Sequence, residues 1–397
     1  MTASIPDLAH AAWLNEPRLQ AVMAAISVAG EDVRVVGGAV RNALLGVPIS
    51  DVDLATTMLP QDVMRVCKAA GFGVHPTGLE HGTVTVVNDG RAFEVTTLRR
   101  DVETDGRRAV VSFTRDFAED AQRRDFTINA LYCDAHGKIY DFNTGLLDVA
   151  RRRVRFVGDS ATRIKEDYLR ILRFFRFSAY YGKGPLCPVG LAECTRLKDG
   201  LKKISAERLR QEMMKLVVAP KAVAVLKVMA KKGILEIIVP YTDEWRTLER
   251  LPVDPLLRLF VIAKRPSALK EGLRLSNEEA DRIDALLAAP ELSEELAEPT
   301  RHALLYRIGE DAWCDAVHVS WAKSSATMKS QKWRILLELP QDWPIPKFPI
   351  SGSDMKAAGM VPGPQMGQRL KALEEYWIAQ DFAISRDALL ARIENGN

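Results

Sequence analysis

Two aspartates separated by one residue, in Ser50-Asp51-Val52-Asp53-Leu54-Ala55-Thr56, are the residues of this chain best placed to do chemistry. On a β-strand successive side chains alternate between faces, so Asp51 and Asp53 would share one face while Val52 and Leu54 turn to the core. Two carboxylates so close repel each other unless a cation screens them. One or two Mg2+ ions could do so, since Mg2+ binds a few carboxylates together with phosphate and water oxygens. The same pattern also describes the wet face of an edge strand. A glycine pair upstream, in Val36-Gly37-Gly38-Ala39-Val40-Arg41, favours the metal reading. A glycine turn between strand and helix lets backbone N–H groups approach a phosphate at the positive end of the helix. Arg41, one turn in, could pair with a phosphate oxygen.

Further charged residues fit the same chemistry. In Arg91-Ala92-Phe93-Glu94-Val95-Thr96-Thr97, Phe93, Val95 and Thr97 share one face, with Glu94 and Thr96 on the other. Glu94 would complete an acidic cluster if its strand lies beside Asp51 and Asp53; otherwise it is an ordinary solvent-facing glutamate. Arg123, Arg124 and Asp125 precede an apolar run, so Asp125 could cap a helix and Arg124 could clamp a phosphate at its mouth. In Arg163-Ile164-Lys165-Glu166-Asp167-Tyr168-Leu169-Arg170, helical geometry brings Arg163, Asp167 and Arg170 within about 60° of one another. Arg173 drifts off that stripe and Arg176 further. One acid among arginines is either a structural ladder or an edge that hydrogen-bonds a base. The alternation of arginine and phenylalanine in Leu172-Arg173-Phe174-Phe175-Arg176-Phe177 leans towards nucleotide contact, because rings and guanidinium planes stack on bases.

These residues need elements to hold them. Residues 17–30 predict an amphipathic helix from Pro17 to Gly30. A short buried strand, the glycine turn, a helix stopped by Gly46, the strand over 50–56 and a helix from Pro60 to Gly71 follow. Residues 81–99, turning at Asn88-Asp89-Gly90, predict a β-hairpin. Alternating strands and helices predict an α/β domain over about 31–150. Beyond about residue 160 helical periodicity takes over. The proline-rich stretch from Pro340 to Gly352 predicts a late boundary, followed by a last helical unit.

The chain has 397 residues, 47% apolar and 27% charged, enough for two to four folding units with large cores. Its net charge of +3 is unevenly spread. Between Arg151 and Lys232 there are 21 lysines and arginines against 7 aspartates and glutamates, the footprint of a polyanion partner such as nucleic acid. The five cysteines have no zinc spacing and no C-x-x-C pair, which predicts reduced thiols in the cytoplasm. No apolar run spans a bilayer and no secretory signal is visible.

Taken in order, Val35–Gly46, Asp51–Thr56, His75–Val87, Phe93–Arg99, Asp105–Arg108, Arg123–Leu131 and Glu166–Phe177 resemble the bacterial class II CCA-adding tRNA nucleotidyltransferases and the related bacterial poly(A) polymerases. A weaker likeness returns over Ile350–Tyr376. The resemblance implies an α/β polymerase-β-like nucleotidyltransferase head with a mixed sheet over 1–150. A basic helical neck (151–232), a helical body (233–340) and a tRNA-binding helical tail (341–397) would follow. It implies that Asp51 and Asp53 hold catalytic Mg2+, with Glu94 as a third catalytic acid. It implies that Gly37, Gly38, Arg41 and Arg124 contact the nucleotide. Asp167 and Arg170 would read the base of CTP or ATP, with Arg173 and Arg176 lining the pocket. The implied partner is the 3′ acceptor end of tRNA, with no membrane and either a monomer or a homodimer. Full CCA addition is the expected activity, with A-only addition or poly(A) synthesis as alternatives. The loop around Asp105–Arg108 argues against CC-only addition. One departure stands out: Asn42 occupies a position where many members carry an acid. No His-Asp dipeptide occurs, so an appended metal phosphohydrolase domain is not expected.

Overall fold

Strand β1 (Val33–Val36) ends at Gly37, whose φ of 73° and ψ of −115° suit glycine alone. Helix α2 (Gly38–Leu45) then starts at once and stops at Gly46, a left-handed C-cap whose N–H reaches the carbonyls of Ala43 and Asn42. It is preceded by α1 (Pro17–Ser27), which begins on Pro17 as expected. Strand β2 (Asp53–Thr56) follows, then α3 (Pro60–Ala69), β3 (Gly73–Gly78), β4 (Thr83–Asn88) and β5 (Arg91–Thr97). The β4–β5 hairpin turns on Asp89 and Gly90, both at positive φ, the conformation that its Asn-Asp-Gly sequence favours. These elements belong to a computed structural model that describes residues 7–27, 30–105 and 108–394. Residues 106 and 107, inside the expected Asp105–Arg108 loop motif, lie outside the described residues.

The sheet has seven strands in the order β3-β4-β5-β2-β1-β8-β9, with β8 (Leu131–Cys133) and β9 (Ile139–Asp141) closing one edge. Among the described strands of this sheet only β2 and β5 run parallel; the other pairs are antiparallel, so the sheet is mixed. Strands β6 (Arg99–Asp105) and β7 (Arg108–Phe113) form a separate ribbon. Helices α1 and α3 pack on β1, β3, β4 and β5, and on the side that carries Asp53 Phe117 and Ala121 of α4 (Phe117–Gln122) join Val36, Ala55, Leu98 and Tyr132 in one buried cluster.

After α5 (Gly145–Ala150) the chain is helical. The segment read as one helix from Arg163 to Tyr181 is two: α6 (Ser160–Glu166) and α7 (Leu169–Tyr181). The break falls at Asp167, which is extended (φ −154°, ψ 105°) and accepts the N–H of Leu169 through its own side chain. An aspartate that offers the backbone this local bond competes with the helical ladder. Helices α8 (Pro188–Arg196), α9 (Ala206–Val217), α10 (Ala222–Lys231) and α11 (Leu235–Ile238) complete the first of two compact units, which divide between Ile238 and Val239.

Among the described residues the regular elements of the second unit are all helices. Its core centres on Trp313, Trp321 and Trp333, with a further cluster around Trp377. The proline-rich break begins later than expected, because helix Gln331–Asp342 runs through Pro340. Proline cannot donate to the Leu336 carbonyl four residues back, and the Trp313 indole N–H fills that place at 2.6 Å.

Candidate active site

The β1–α2 turn, the start of β2 and the first turns of α7 meet at a cleft of about 640 Å3 in the first unit. Gly37, Gly38, Arg41, Asp51, Asp53, Arg124, Asp167, Arg170, Arg173 and Arg176 all line it. Of the expected site residues only Glu94 lies outside, in an adjoining cleft that shares Asp53, Arg123 and Arg124. The strand carrying the aspartates is shorter than expected. It begins at Asp53, and Asp51 sits in the lead-in, bonded by the Ser50 hydroxyl at 2.9 Å. Alternation still holds: Asp51 and Asp53 are exposed while Val52 and Leu54 are buried. Glu94 faces Asp53 directly across the parallel β2–β5 pair.

Although Asp53 is open to the cleft, the protein around it strips away much of its hydration; that desolvation, followed by the charges of Glu94 and Asp51, pushes its carboxyl up to about 6, with Arg124 opposing. Such unrelieved repulsion is what a bound cation removes. Among the described residues no group of three His, Cys, Asp or Glu stands close enough to hold a metal by protein ligands alone. Two carboxylates completed by phosphate and water oxygens suit a hard divalent cation.

Above the aspartates the donors are cationic. The first N–H groups of α2 point from the glycine turn with no intrahelical partner. An added Cβ on Gly37 would lie 3.9 Å from the Arg124 guanidinium, so the turn and this arginine are neighbours. Burial opposes the Arg124 charge, but Tyr132 and Asp120 more than offset it. Its Nε and one terminal nitrogen bind Asp120 at 3.2 and 2.9 Å, and Nε also meets the Tyr132 hydroxyl at 3.1 Å. Arg41 is buried and heavily bonded. It donates to Asn129, to Asn42 at 2.8 and 3.1 Å, and to the Tyr181 hydroxyl at 2.8 Å. Asn42, the departure from the family pattern, therefore supplies a neutral acceptor to this arginine.

On the α7 side each arginine is held by an acid, two of which are shared. Arg170 pairs with Glu166, which also takes Arg163. Arg173 meets Asp125 at 2.6 Å and Arg176 meets Glu212 at 2.6 Å. Asp167 accepts Arg208 at 2.6 Å through one oxygen, while the other accepts the Leu169 N–H. Two expectations are corrected here. Asp167 and Arg170 do not share a continuous helical face, because the helix breaks between α6 and α7; they converge on the cleft from either side of the break. Nor is the phenylalanine interleaving a stacking platform. Phe174 and Phe175 are wholly buried, and Phe174 stacks on Phe156 at 5.5 Å. Only Phe177 reaches the cleft wall.

Asp125 caps no α-helix, since Thr127–Asn129 is a single 3-10 turn; its carboxylate anchors Asn129 and Arg173. Asp120, Asn129, Glu166, Arg208 and Glu212 were not singled out in the sequence. Asp120 had a local signal, lying four residues before Arg124 on one helical turn. Arg208 and Glu212 had none, because they reach the site from α9.

Three family models match the chain: a poly(A) polymerase head domain over residues 33–155, an RNA and SrmB binding site of polymerase A over 190–246, and a tRNA nucleotidyltransferase domain over 257–393. The human mitochondrial CCA tRNA nucleotidyltransferase 1 is 33% identical over 388 residues, covering 91% of this chain and 86% of that protein. The CCA-adding enzyme of Latilactobacillus sakei is 30% identical over 404 residues and 98% of both chains. The Bacillus stearothermophilus CCA-adding enzyme in complex with CTP superposes with a TM-score of 0.80 at 28% identity, covering 96% of this chain and 98% of that one. Full-length similarity of this depth, on the same mixed sheet and helical succession, places the chain in the CCA-adding tRNA nucleotidyltransferase family.

Proposed function

We propose that the protein adds CCA to the 3′ end of tRNA, using CTP and ATP and releasing pyrophosphate. The observation that carries this reading is one cleft joining the Asp51–Asp53 pair to the Asp167–Arg170 edge, so that a triphosphate and a base can be held together. The RNA 3′-hydroxyl attacks the α-phosphorus, the bond to the bridging oxygen breaks, and pyrophosphate leaves with that electron pair. Asp51 and Asp53 would hold Mg2+, which when bound supplies charge neutralisation at the reacting phosphate. Gly37 and Gly38 bring backbone N–H groups to the triphosphate, Arg124 offsets its charge, and Arg41 fixes the wall between turn and neck. Asp167 and Arg170 present an acceptor and donors to the base, with Arg173 and Arg176 framing them. Glu94, beside Asp53, is the third catalytic acid.

In this reading residues 1–150 form the catalytic head, 151–232 a nucleotide-selecting basic neck, 233–340 a body and 341–397 a tRNA-binding tail. All five cysteines are free thiols, which suits a cytoplasmic enzyme. Among the described residues no helix is long and apolar enough to cross a membrane.

Labelled CTP and ATP supplied separately to tRNA transcripts lacking the whole CCA end, or only its final A, test the proposal. Incorporation of CTP on the first and ATP on the second is expected. Incorporation of ATP alone would instead indicate A-only addition, or poly(A) synthesis if it continued past one residue.

A further inference from the structure

Arg41 is set apart from the other arginines of the cleft. Arg123, Arg124, Arg170, Arg173, Arg176 and Arg208 each meet a carboxylate. Arg41 is 6% exposed, yet among the described residues its partners are all neutral: Asn129, Asn42 and the Tyr181 hydroxyl. These bonds use four of its five N–H hydrogens and leave one on Nη1. An added Cβ on Gly38 would lie 3.7 Å from its other terminal nitrogen, so the guanidinium folds back against the start of α2. Its charge there adds to the positive end of that helix. A buried cation without a counter-charge is costly, and a polyphosphate supplies what is missing.

We propose that Asn42 sets the affinity of this site for the triphosphate, as a positioning residue that holds Arg41 in place without cancelling its charge. The inference rests on the proposed nucleotidyl transfer. Asn42 Oδ1 accepts from Nε and a terminal nitrogen of Arg41 at 3.1 and 2.8 Å, the two donors that a carboxylate would pair with. Its Nδ2 donates to the Pro48 carbonyl at 2.7 Å. Arginine can only donate and a carbonyl can only accept, so the amide has one orientation here. Pro48 lies on the loop between α2 and Asp51, so the same side chain ties the arginine to the segment that delivers that aspartate. An aspartate at this position would set a full negative charge against Arg41. It would also turn an oxygen towards the Pro48 carbonyl, which would repel it. Asn42 is where the chain departs from the family pattern, and the departure leaves the Arg41 charge for the substrate.

Calorimetric binding of CTP, inorganic tripolyphosphate and CMP to the full-length enzyme, with Mg2+ present, tests the proposal. Asn42 is half-buried, so substitution there leaves the core intact. Asn42→Asp should weaken tripolyphosphate and CTP about five- to tenfold, the effect of one opposing charge beside a bound polyanion, and leave CMP within about twofold. Asn42→Ala, which removes both bonds but adds no charge, should weaken each polyphosphate only about twofold. A merely structural role predicts the reverse order, because aspartate keeps the shape of asparagine and alanine does not. Losses from Asn42→Ala equal to or larger than those from Asn42→Asp would overturn the proposal, as would a parallel loss of CMP. In steady state, Asn42→Asp should raise the CTP KM and the inhibition constant of pyrophosphate by the same factor, with the KM for an acceptor minihelix within about twofold. A rise in the minihelix KM alone would overturn it. Tripolyphosphate binding needs no turnover, so the two readings fail separately. A natural enzyme that binds tripolyphosphate, with this order of variants, yet incorporates no nucleotide would retain the role of Asn42 and overturn the proposed transfer.

Discussion

Asp120 shows how one buried carboxylate can serve a site it does not line. It is 1% exposed and binds Arg123 at 2.7 Å, Arg124 at 2.9 Å and the Tyr132 hydroxyl at 2.7 Å. Burial alone would raise its pKa, but the two arginines outweigh it and hold the carboxyl well below its usual range. Asp120→Asn leaves two guanidinium groups without their counter-charge. Stability should fall by roughly 3–5 kcal/mol, the usual effect of removing one partner of a buried ion pair. Because the folded pKa is depressed, the stabilisation is fully present above the unfolded value of about 3.9 and fades as pH falls below it. The gap in urea unfolding between Asp120→Asn and the natural protein should therefore stay constant above about pH 5 and only begin to narrow as pH falls below about 4. At the catalytic end, Asp51→Ala and Asp53→Ala should each lower CMP incorporation at least about a hundredfold, since several kcal/mol of charge stabilisation would be lost. Near-normal incorporation by either variant would refute the metal assignment.

Helix α7 divides its residues between two tasks. Phe174 and Phe175 face the core while Arg170, Arg173, Arg176 and Phe177 line the cleft, against the stacking that the alternation of arginine and phenylalanine suggested. Phe174→Ala should therefore cost about 3–5 kcal/mol in urea unfolding without altering the preference between CTP and ATP. A change of preference with stability intact would restore the stacking role. The break before α7 puts Asp167 under the control of α9, where Arg208 holds one of its oxygens. Arg208→Ala should leave Asp167 in place as the local cap of Leu169 but free to rotate. Misincorporation of UTP or GTP should then rise about tenfold, given how steeply rate depends on alignment. Arg208→Lys, which keeps the charge but not the fork, should fall between the two.

For the whole molecule, the basic stretch from Arg151 to Lys232 is less free than its composition suggests. Arg153 and Arg155 share Asp148, and Arg163, Arg170, Arg173, Arg176 and Arg208 all meet acids. Exposed lysines such as Lys183 and Lys231 remain to meet phosphates. Replacing both by glutamate should weaken tRNA binding and flatten its salt dependence by about one unit of slope for each lost phosphate contact, with the KM for CTP unchanged. Unaltered salt dependence would move the tRNA path elsewhere. The amino-acid sequence by itself determined what depends on near neighbours: the glycine turn, the Asp51–Asp53 alternation, the hairpin at Asp89-Gly90 and the helical succession. Those follow from backbone geometry and from side-chain periods of about 2 and 3.6 residues. Only the tertiary structure decided which distant acid holds which arginine. Arg173 finds Asp125 at 48 residues' separation, Arg208 finds Asp167 at 41, and Arg176 finds Glu212 at 36. Such pairs are chosen by the packing of α7 against α9 and against the head, and no local pattern encodes them.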